Sequence, residues 1–421
     1  MSFVFPGVGQ AYNGQWALAA LLAVPVLLIV IPAAFLLVQG GSGVLSRLLD
    51  SRVLVALIVL DVALLGWRLV AILQAHAERS RLTFRRWPTW LTAGLVVVTI
   101  AMHALPAYYA SKAIDTLGSV ALEGRGGLGG RPGGRVIDVA PPSVQPEVDE
   151  GERVTVLLVG VDFAPGRAHH LTDTMLVATL DPATGGGAMV SVPRDLYGVP
   201  LGDGRVYNAK LNSLMSTASA DLATYPAGGP TTLKRAIGDL LGTRIHYFAA
   251  IDIEGLGGVI DTIGGVDVTV ERTINDPSYG DTLTGQRGFH LEAGPQHLDG
   301  RAALGYARSR KGQGESDFTR AERQQVLLTA IGEKLTAGNL LVGLPGLLDA
   351  VRDNVATDIP SERIPDIAAE LQDADLGSLE RVVLTPPAYM SVDPNSAAGY
   401  ILIPNLEAIL ELGQRIFGGP S

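Results

Sequence analysis

The chain begins with three long apolar runs and then changes character. Ala17–Val38 is unbroken, a second run covers Val53–Leu73, and a third covers Trp90–Tyr109. Each is long enough to cross roughly 30 Å of hydrocarbon as a helix. The first lacks the basic flank of a secretory signal and is followed by further runs. Three spans, at about 17–38, 53–73 and 90–109, are therefore expected within a transmembrane region 1–117. Asp61 and Arg68 interrupt the second run seven residues apart, on one helix face. Packing inside a bundle or snorkelling explains them; an ion path is the alternative. Residues 118–150 are rich in Gly and Pro without apolar periodicity, the pattern of a flexible linker. Gly124-x-Gly126-x-x-Gly129 lies there with no strand before it and no helix after it, so it is not read as a dinucleotide site.

From Arg153 the pattern is that of an α/β domain. Val154–Val161 is a continuous apolar, β-rich run ending at Gly160-Val161-Asp162. Met175–Leu180, Ala188–Val192, Ile245–Ile251, Val266–Val270 and a stretch near Arg381–Leu384 read as further strands. Leu233–Leu241, Gly255–Ile263, Ala302–Ala307 and Thr319–Leu335 read as helices. The alternation predicts an α/β fold, a mixed central sheet covered by helices, over 151–421. Asp162 ends one strand and Asp173 opens the next, so antiparallel pairing would put both on one sheet edge. Arg194 and Asp195 follow the third strand. Ligands in open α/β sheets bind beyond such strand ends.

Charge sharpens this picture. Residues 1–117 hold eight Lys/Arg and four Asp/Glu, and the remainder 24 and 38. The acidic second part argues against nucleic acid as a partner, which needs a basic surface. There is no cysteine, which excludes disulfides, thiolate metal sites and a cysteine nucleophile. Arg79, Arg81, Arg85 and Arg86 cluster between the second and third runs, so that loop is expected on the cytoplasmic side. Everything after about residue 112 then lies outside the cytoplasmic membrane of a multi-pass protein.

The candidate chemistry centres on Arg308, Arg310, Arg320 and Arg323, four arginines within sixteen residues. A helix beginning at Asp317 would put Asp317, Arg320 and Gln324 on one face. Arginine forks bind phosphate oxygens in bidentate fashion, although a solvated, salt-bridged face is the ordinary reading of a charge run. Asp162 and Asp173 are hard oxygen donors suited to Mg²⁺ beside phosphate, or simple turn residues. His169 and His170 are read as solvated rather than metal-binding. Arg194 would join the cationic wall. Asp195 would accept a proton from an attacking hydroxyl or else hold an arginine, and Gln324 would orient phosphate or acceptor. There is no P-loop and no G-x-S-x-G elbow, which disfavours a nucleotide kinase or serine hydrolase.

Several short segments, in order, resemble the LytR-CpsA-Psr family of cell-wall ligases. They are Gly160–Asp162, Thr172–Met175, Ser191–Tyr197, Lys210–Ser213, Asp261–Val268, His297–Gly300, Ala303–Arg310 and Asp317–Gln325, spread over about 153–335. The resemblance implies a membrane-anchored phosphotransferase with its catalytic domain outside. It would take a glycopolymer from a polyprenyl-pyrophosphate carrier and join it to peptidoglycan through a phosphodiester. It also implies Mg²⁺ near Asp162 and Asp173, with Arg194, Arg308, Arg310, Arg320 and Gln324 at the pyrophosphate and Asp317 holding the arginines; Arg323 joins the substrate-binding set as part of the cationic wall. A pyrophosphatase using water, or a non-catalytic regulator that binds the lipid carrier, are the alternatives. The glycopolymer, prenyl length, acceptor hydroxyl and oligomeric state have no signature in the sequence. The chain departs from the family in having three apolar runs where one is usual, and Thr172 where Ser is common.

Overall fold

The computed structural model describes residues 5–12, 14–39, 50–77, 89–120, 153–161, 171–181, 184–281, 285, 287–336, 349–352, 354–360 and 362–418. Residues 118–120 of the expected linker are instead the end of a helix; its remainder, 121–150, Asp162, the His169-His170 pair and the Arg79–Arg86 cluster lie outside the described residues. The chain divides into two compact units, residues 1–117 with 364–369 and residues 118–363 with 370–421.

The first unit contains α1 (Val8–Tyr12), α2 (Trp16–Gln39), α3 (Ser51–Ala77) and α4 (Thr89–Val120). Two stretches, Ser51–His76 and Thr89–Gly118, are long and apolar enough to cross a membrane. The expectation of three spans is corrected to two candidates. The apolar part described for α2 is Trp16–Ile31, shorter than the roughly 20 residues a crossing needs. The polar residues of α3 have found partners. Asp61 Oδ1 lies 2.7 Å from His103 Nδ1 on α4, and Arg68 Nη1 lies 3.4 Å from His103 Nε2. Sequence spacing placed Asp61 and Arg68 on one face but did not reveal the histidine between them.

The second unit is built on a six-stranded mixed sheet. In chain order its elements are β1 (Val154–Val161), β2 (Thr172–Leu180), β3 (Gly187–Ser191), β4 (Tyr197–Pro200), β5 (Val206–Lys210), α5 (Leu214–Ala220), α6 (Gly228–Leu241), β6 (Tyr247–Asp252), α7 (Ile253–Thr262), β7 (Val266–Val270), β8 (Ile274–Gly280), β9 (Arg287–Leu291), β10 (Gly294–Leu298), α8 (Gly300–Arg308), α9 (Asp317–Thr336), β11 (Val355–Thr357), the end of α10 (Ile364–Asp373, whose residues 364–369 belong to the first unit), β12 (Glu380–Val383), β13 (Met390–Ser396), β14 (Gly399–Pro404) and α11 (Leu406–Phe417). The sheet runs β11-β6-β1-β2-β3-β12. β1 is antiparallel to β2 and parallel to β6; β3 is antiparallel to β2 and parallel to β12.

Side chains alternate across the strands, so each face has its own partners. Leu157, Val159, Val177, Val190 and Phe248 join Leu233, Ile237 and Leu240 of α6 and Ile409 and Leu412 of α11 in the main core. Ser191, on the opposite face from Val190, receives a 3.0 Å hydrogen bond from Gln325 of α9. Gln325 is 2% exposed, and its amide also donates to the carbonyl of Val382 on β12 at 2.8 Å. α9 therefore lies on the second face and stitches β3 to β12. A second cluster joins Ile260 of α7 and Val266 and Val268 of β7 to Ala303 and Tyr306 of α8 and Leu327 and Ile331 of α9.

Helix starts follow from local chemistry. Asp299 caps α8 by accepting from Ala302 N at 2.7 Å. Ser316 and Thr319 exchange hydrogen bonds at the start of α9, at 3.2 and 2.9 Å. Gly300 permits a close approach of α8 to α7. Its N–H donates to Asp261 Oδ1 at 2.6 Å, and a Cβ there would land on the carbonyl oxygen of Gly257. Gly300→Ala is expected to cost about 1–3 kcal/mol through forced separation of the two helices. A thermal unfolding midpoint unchanged from wild type would refute this.

Candidate functional site

The polar residues gather on one edge of the sheet because of the pairing just described. Val161 at the end of β1 pairs with Thr172, so Asp173 sits at that edge. Ser191 ends β3 opposite Leu176 and beside Val383 of β12, which carries Pro193-Arg194-Asp195 to the same edge. A cavity of about 220 Å³ opens there, lined by Asp173, Arg194, Asp195, Asp317, Arg320 and Gln324, among others. β2 begins at Thr172 rather than at the predicted Met175, so Asp173 belongs to the strand itself.

Arg194 is the hub. Its Nη1 donates to Asp173 Oδ1 at 2.6 Å, its Nη2 to Asp317 Oδ2 at 3.2 Å, and its Nε lies 3.7 Å from Asp195 Oδ2. Burial opposes the Arg194 charge, but Asp173 and Asp317 outweigh it and hold the guanidinium above its ordinary value. Arg320 is buried, with Nη1 3.3 Å from Asp317 Oδ1 and Nη2 donating to the Asp173 carbonyl at 3.3 Å. Burial pulls Arg320 below its ordinary value, partly countered by Asp317. Arg310 reaches Asp317 Oδ1 at 3.7 Å from a more exposed position. Asp317 thus sits among three arginines at the first turn of α9, where the helix dipole also favours a carboxylate.

Asp195 is an ion-pair residue in this arrangement. Lys210 Nζ donates to its Oδ1 at 2.8 Å and Arg194 faces its Oδ2. Of the two roles left open by the sequence, the geometry favours holding Arg194. Gln324 lines the cavity, yet its amide donates to the Ala307 carbonyl at 3.1 Å. Arg323 faces a different cleft, with Thr319 and Glu322. Its guanidinium lies 5.7 Å from the Tyr306 ring, pairs with Glu315 at 2.7 Å and donates to the Ser309 carbonyl. Arg308 ends α8 half-buried, close enough to Tyr279 to lower the pKa of that phenol, although burial dominates and raises it.

Sequence reasoning missed Tyr400 and Leu402, which line the same cavity from β14. The signal was the alternating run Gly399–Ile403, but nothing linked it to residue 195. The link is a bond from Leu402 N to the Asp195 carbonyl at 3.0 Å. Burial, then Asp195 and Asp317, raise the Tyr400 phenol above its ordinary value, so it remains a hydrogen-bond donor at neutral pH.

Around this cavity the cations Arg194, Lys210, Arg310 and Arg320 outnumber the carboxylates Asp173, Asp195 and Asp317 four to three. Such a slight excess is well short of a pyrophosphate's charge. A divalent cation would close the gap, and the donors suit a hard one. Arg194 engages Oδ1 of Asp173, which leaves Oδ2 for a metal. Among the described residues no group of three or more His, Asp or Glu forms a dedicated cage. That fits the mode in which Mg²⁺ is held by one or two carboxylates together with phosphate oxygens.

A model described as the LytR_cpsA_psr family matches residues 136–397. The chain belongs to this family. The polyisoprenyl-teichoic acid–peptidoglycan teichoic acid transferase TagU of Bacillus anthracis is 29% identical over 231 residues, 55% of this chain and 69% of that protein. The corresponding transferase TagV of Bacillus subtilis is 28% identical over 206 residues, 49% of each chain. The crystal structure of B. subtilis TagV covers 64% of this chain and 99% of its own, with a TM-score of 0.51 and 23% identity, a likeness of fold. The LytR_cpsA_psr match takes in β1 to β13, and so every residue that lines the cavity except Tyr400 and Leu402.

Proposed function

We propose that this chain is a phosphotransferase that moves a glycopolymer from a polyprenyl-pyrophosphate carrier to peptidoglycan through a phosphodiester bond. The observation that carries the reading is the pair Arg194 and Arg320, fixed by Asp173 and Asp317 in a cavity at the sheet edge, with Arg310 joined to Asp317 from outside the lining. The names of the TagU and TagV relatives support the donor and acceptor classes.

In phosphoryl transfer the protein's main task is to position the groups and stabilise charge on the departing oxygens. Arg320 stands buried and Arg194 half-buried, both pre-oriented, so their charges need little reorganisation when that charge develops. Arg310, more exposed, would close over the pyrophosphate from the mouth. The Tyr400 hydroxyl would donate to a phosphate or acceptor oxygen. Asp195 would keep Arg194 and Lys210 in register. Asp173, with Asp162, would hold Mg²⁺, which when bound offsets phosphate charge. The candidate spans would anchor the protein in the cytoplasmic membrane. The arginines at 79, 81, 85 and 86 support an orientation with residues after about 112 outside.

The test is transfer by the full chain in detergent, given a synthetic polyprenyl-pyrophosphate oligosaccharide and peptidoglycan fragments. The expected product is acceptor-linked sugar phosphate, dependent on Mg²⁺ and lost in Asp162→Ala and Arg310→Ala. Sugar phosphate released only into water would replace the transferase with a pyrophosphatase. Lipid binding without cleavage would leave a carrier-binding protein.

A further inference from the structure

Asp276 lies in β8, outside every segment the functional reading has used. It is 2% exposed and fully engaged. Its Oδ2 accepts from Ser309 Oγ, Arg310 N and Lys311 N, each at 3.0 Å, and its Oδ1 accepts from Ser278 N at 3.0 Å. The first three donors belong to the turn that ends α8. That turn begins after Arg308 and contains Arg310, so its shape sets the direction of Arg310.

The same turn is gripped from its other side. Ser309 is 0% exposed; Arg323 donates to its carbonyl, and Gln324 donates to the carbonyl of Ala307. Backbone groups alone cannot hold it this way, because the turn directs two N–H groups and a hydroxyl towards a single point. Neutral acceptors would satisfy them singly, whereas a carboxylate oxygen accepts all three. The hairpin that carries Asp276 is seated on α8: Arg301 Nε donates to Asp281 at 2.8 Å, and Gly305 leaves room for the Phe289 ring.

We infer that Asp276 is a positioning residue for the proposed pyrophosphate site, acting through the Ser309–Lys311 turn to aim Arg310 at the ligand. This rests on the pyrophosphate-binding reading of the cavity. A carboxylate that served only the hairpin would have no reason to reach a turn more than thirty residues further along the chain. Burial opposes its charge, but its backbone and hydroxyl donors hold the carboxyl below its usual range, so it is ionised at neutral pH.

The test is a double-mutant cycle on the full chain, with inorganic pyrophosphate as the probe and calorimetry in Mg²⁺ as the readout. Asp276→Asn keeps the volume and is expected to weaken binding about tenfold, as is Arg310→Ala. The double variant should be little weaker than either single one, because both changes remove the same contact. Ser309→Ala, which deletes one donor, should fall between wild type and Asp276→Asn and serves if Asp276→Asn fails to fold. Unchanged affinity in a folded Asp276→Asn or Ser309→Ala chain would overturn the inference alone. Losses that multiply in the double variant would do the same, showing a general structural role. A wild-type chain that binds no pyrophosphate would overturn the functional reading as well.

Discussion

Arg194→Ala is expected to slow the proposed transfer by about 100-fold to 1,000-fold, the usual loss when one fixed donor to a developing anion is removed. The folded chain should survive, because Arg320 still faces Asp317 and donates to the Asp173 carbonyl. Arg194→Lys is not expected to restore the rate. One ammonium cannot reproduce a fork that reaches Asp173 with one nitrogen and Asp317 with another. Steady-state rates with a lipid-linked oligosaccharide, beside a melting curve, check both. An alanine variant within about threefold of wild type would remove Arg194 from the chemistry, whatever its ion pairs.

Asp358→Ala is expected to give the opposite profile, a large loss of stability with the site intact. Lys234 of α6 and Asp358, just after β11, are each 8% exposed and paired at 2.5 Å. Lys234 Nζ also donates to the His246 carbonyl at 2.9 Å, and Asp358 Oδ1 accepts from Phe248 N at 2.5 Å. Removing the carboxylate strands a buried ammonium and a backbone N–H, at a cost of about 3–5 kcal/mol. Replacing both partners with apolar residues, Lys234→Met with Asp358→Leu, should recover much of the loss because no charge is left unpaired. Chemical denaturation resolves the three proteins; a double variant less stable than Asp358→Ala would contradict this account. His246 adjoins Thr155, at the end of β1 away from Asp173, so activity per folded molecule should be kept.

The contrast between these two sites shows which features the sequence could reveal. The buried strands were legible because β1 is a continuous apolar run. The face shared by Asp317, Arg320 and Gln324 was legible from helical periodicity alone, and all three line the cavity. Arg323, a single position from Gln324, faces another cleft, and no spacing rule says which of two arginines three residues apart meets a ligand. The first residues of β2 were missed because Thr172-Asp173-Thr174 is polar, as a strand end facing a site must be. β8 was missed for a related reason. Asn275-Asp276-Pro277-Ser278 has the composition of a turn, and its strand character depends on pairing with β9, a partner that the local sequence does not announce. The Lys234–Asp358 pair was invisible because its members stand far apart in sequence and neither lies in a recognisable pattern. The first span, 17–38, was overestimated because only Trp16–Ile31 of α2 counts as apolar helix among the described residues.

The parallel pairing of β3 with β12, stitched by Gln325, bears on when the protein becomes competent during synthesis. β12 and the Tyr400–Leu402 wall come from the last tenth of the chain, whereas Asp173 and Arg194 come from its first half. Such non-local pairing forms late, since the intervening loop must close before the contact is rewarded. A chain still emerging would carry its arginines early but lack the strand and wall that complete the cavity. A truncation before residue 380 should therefore leave the arginines without a closed pocket.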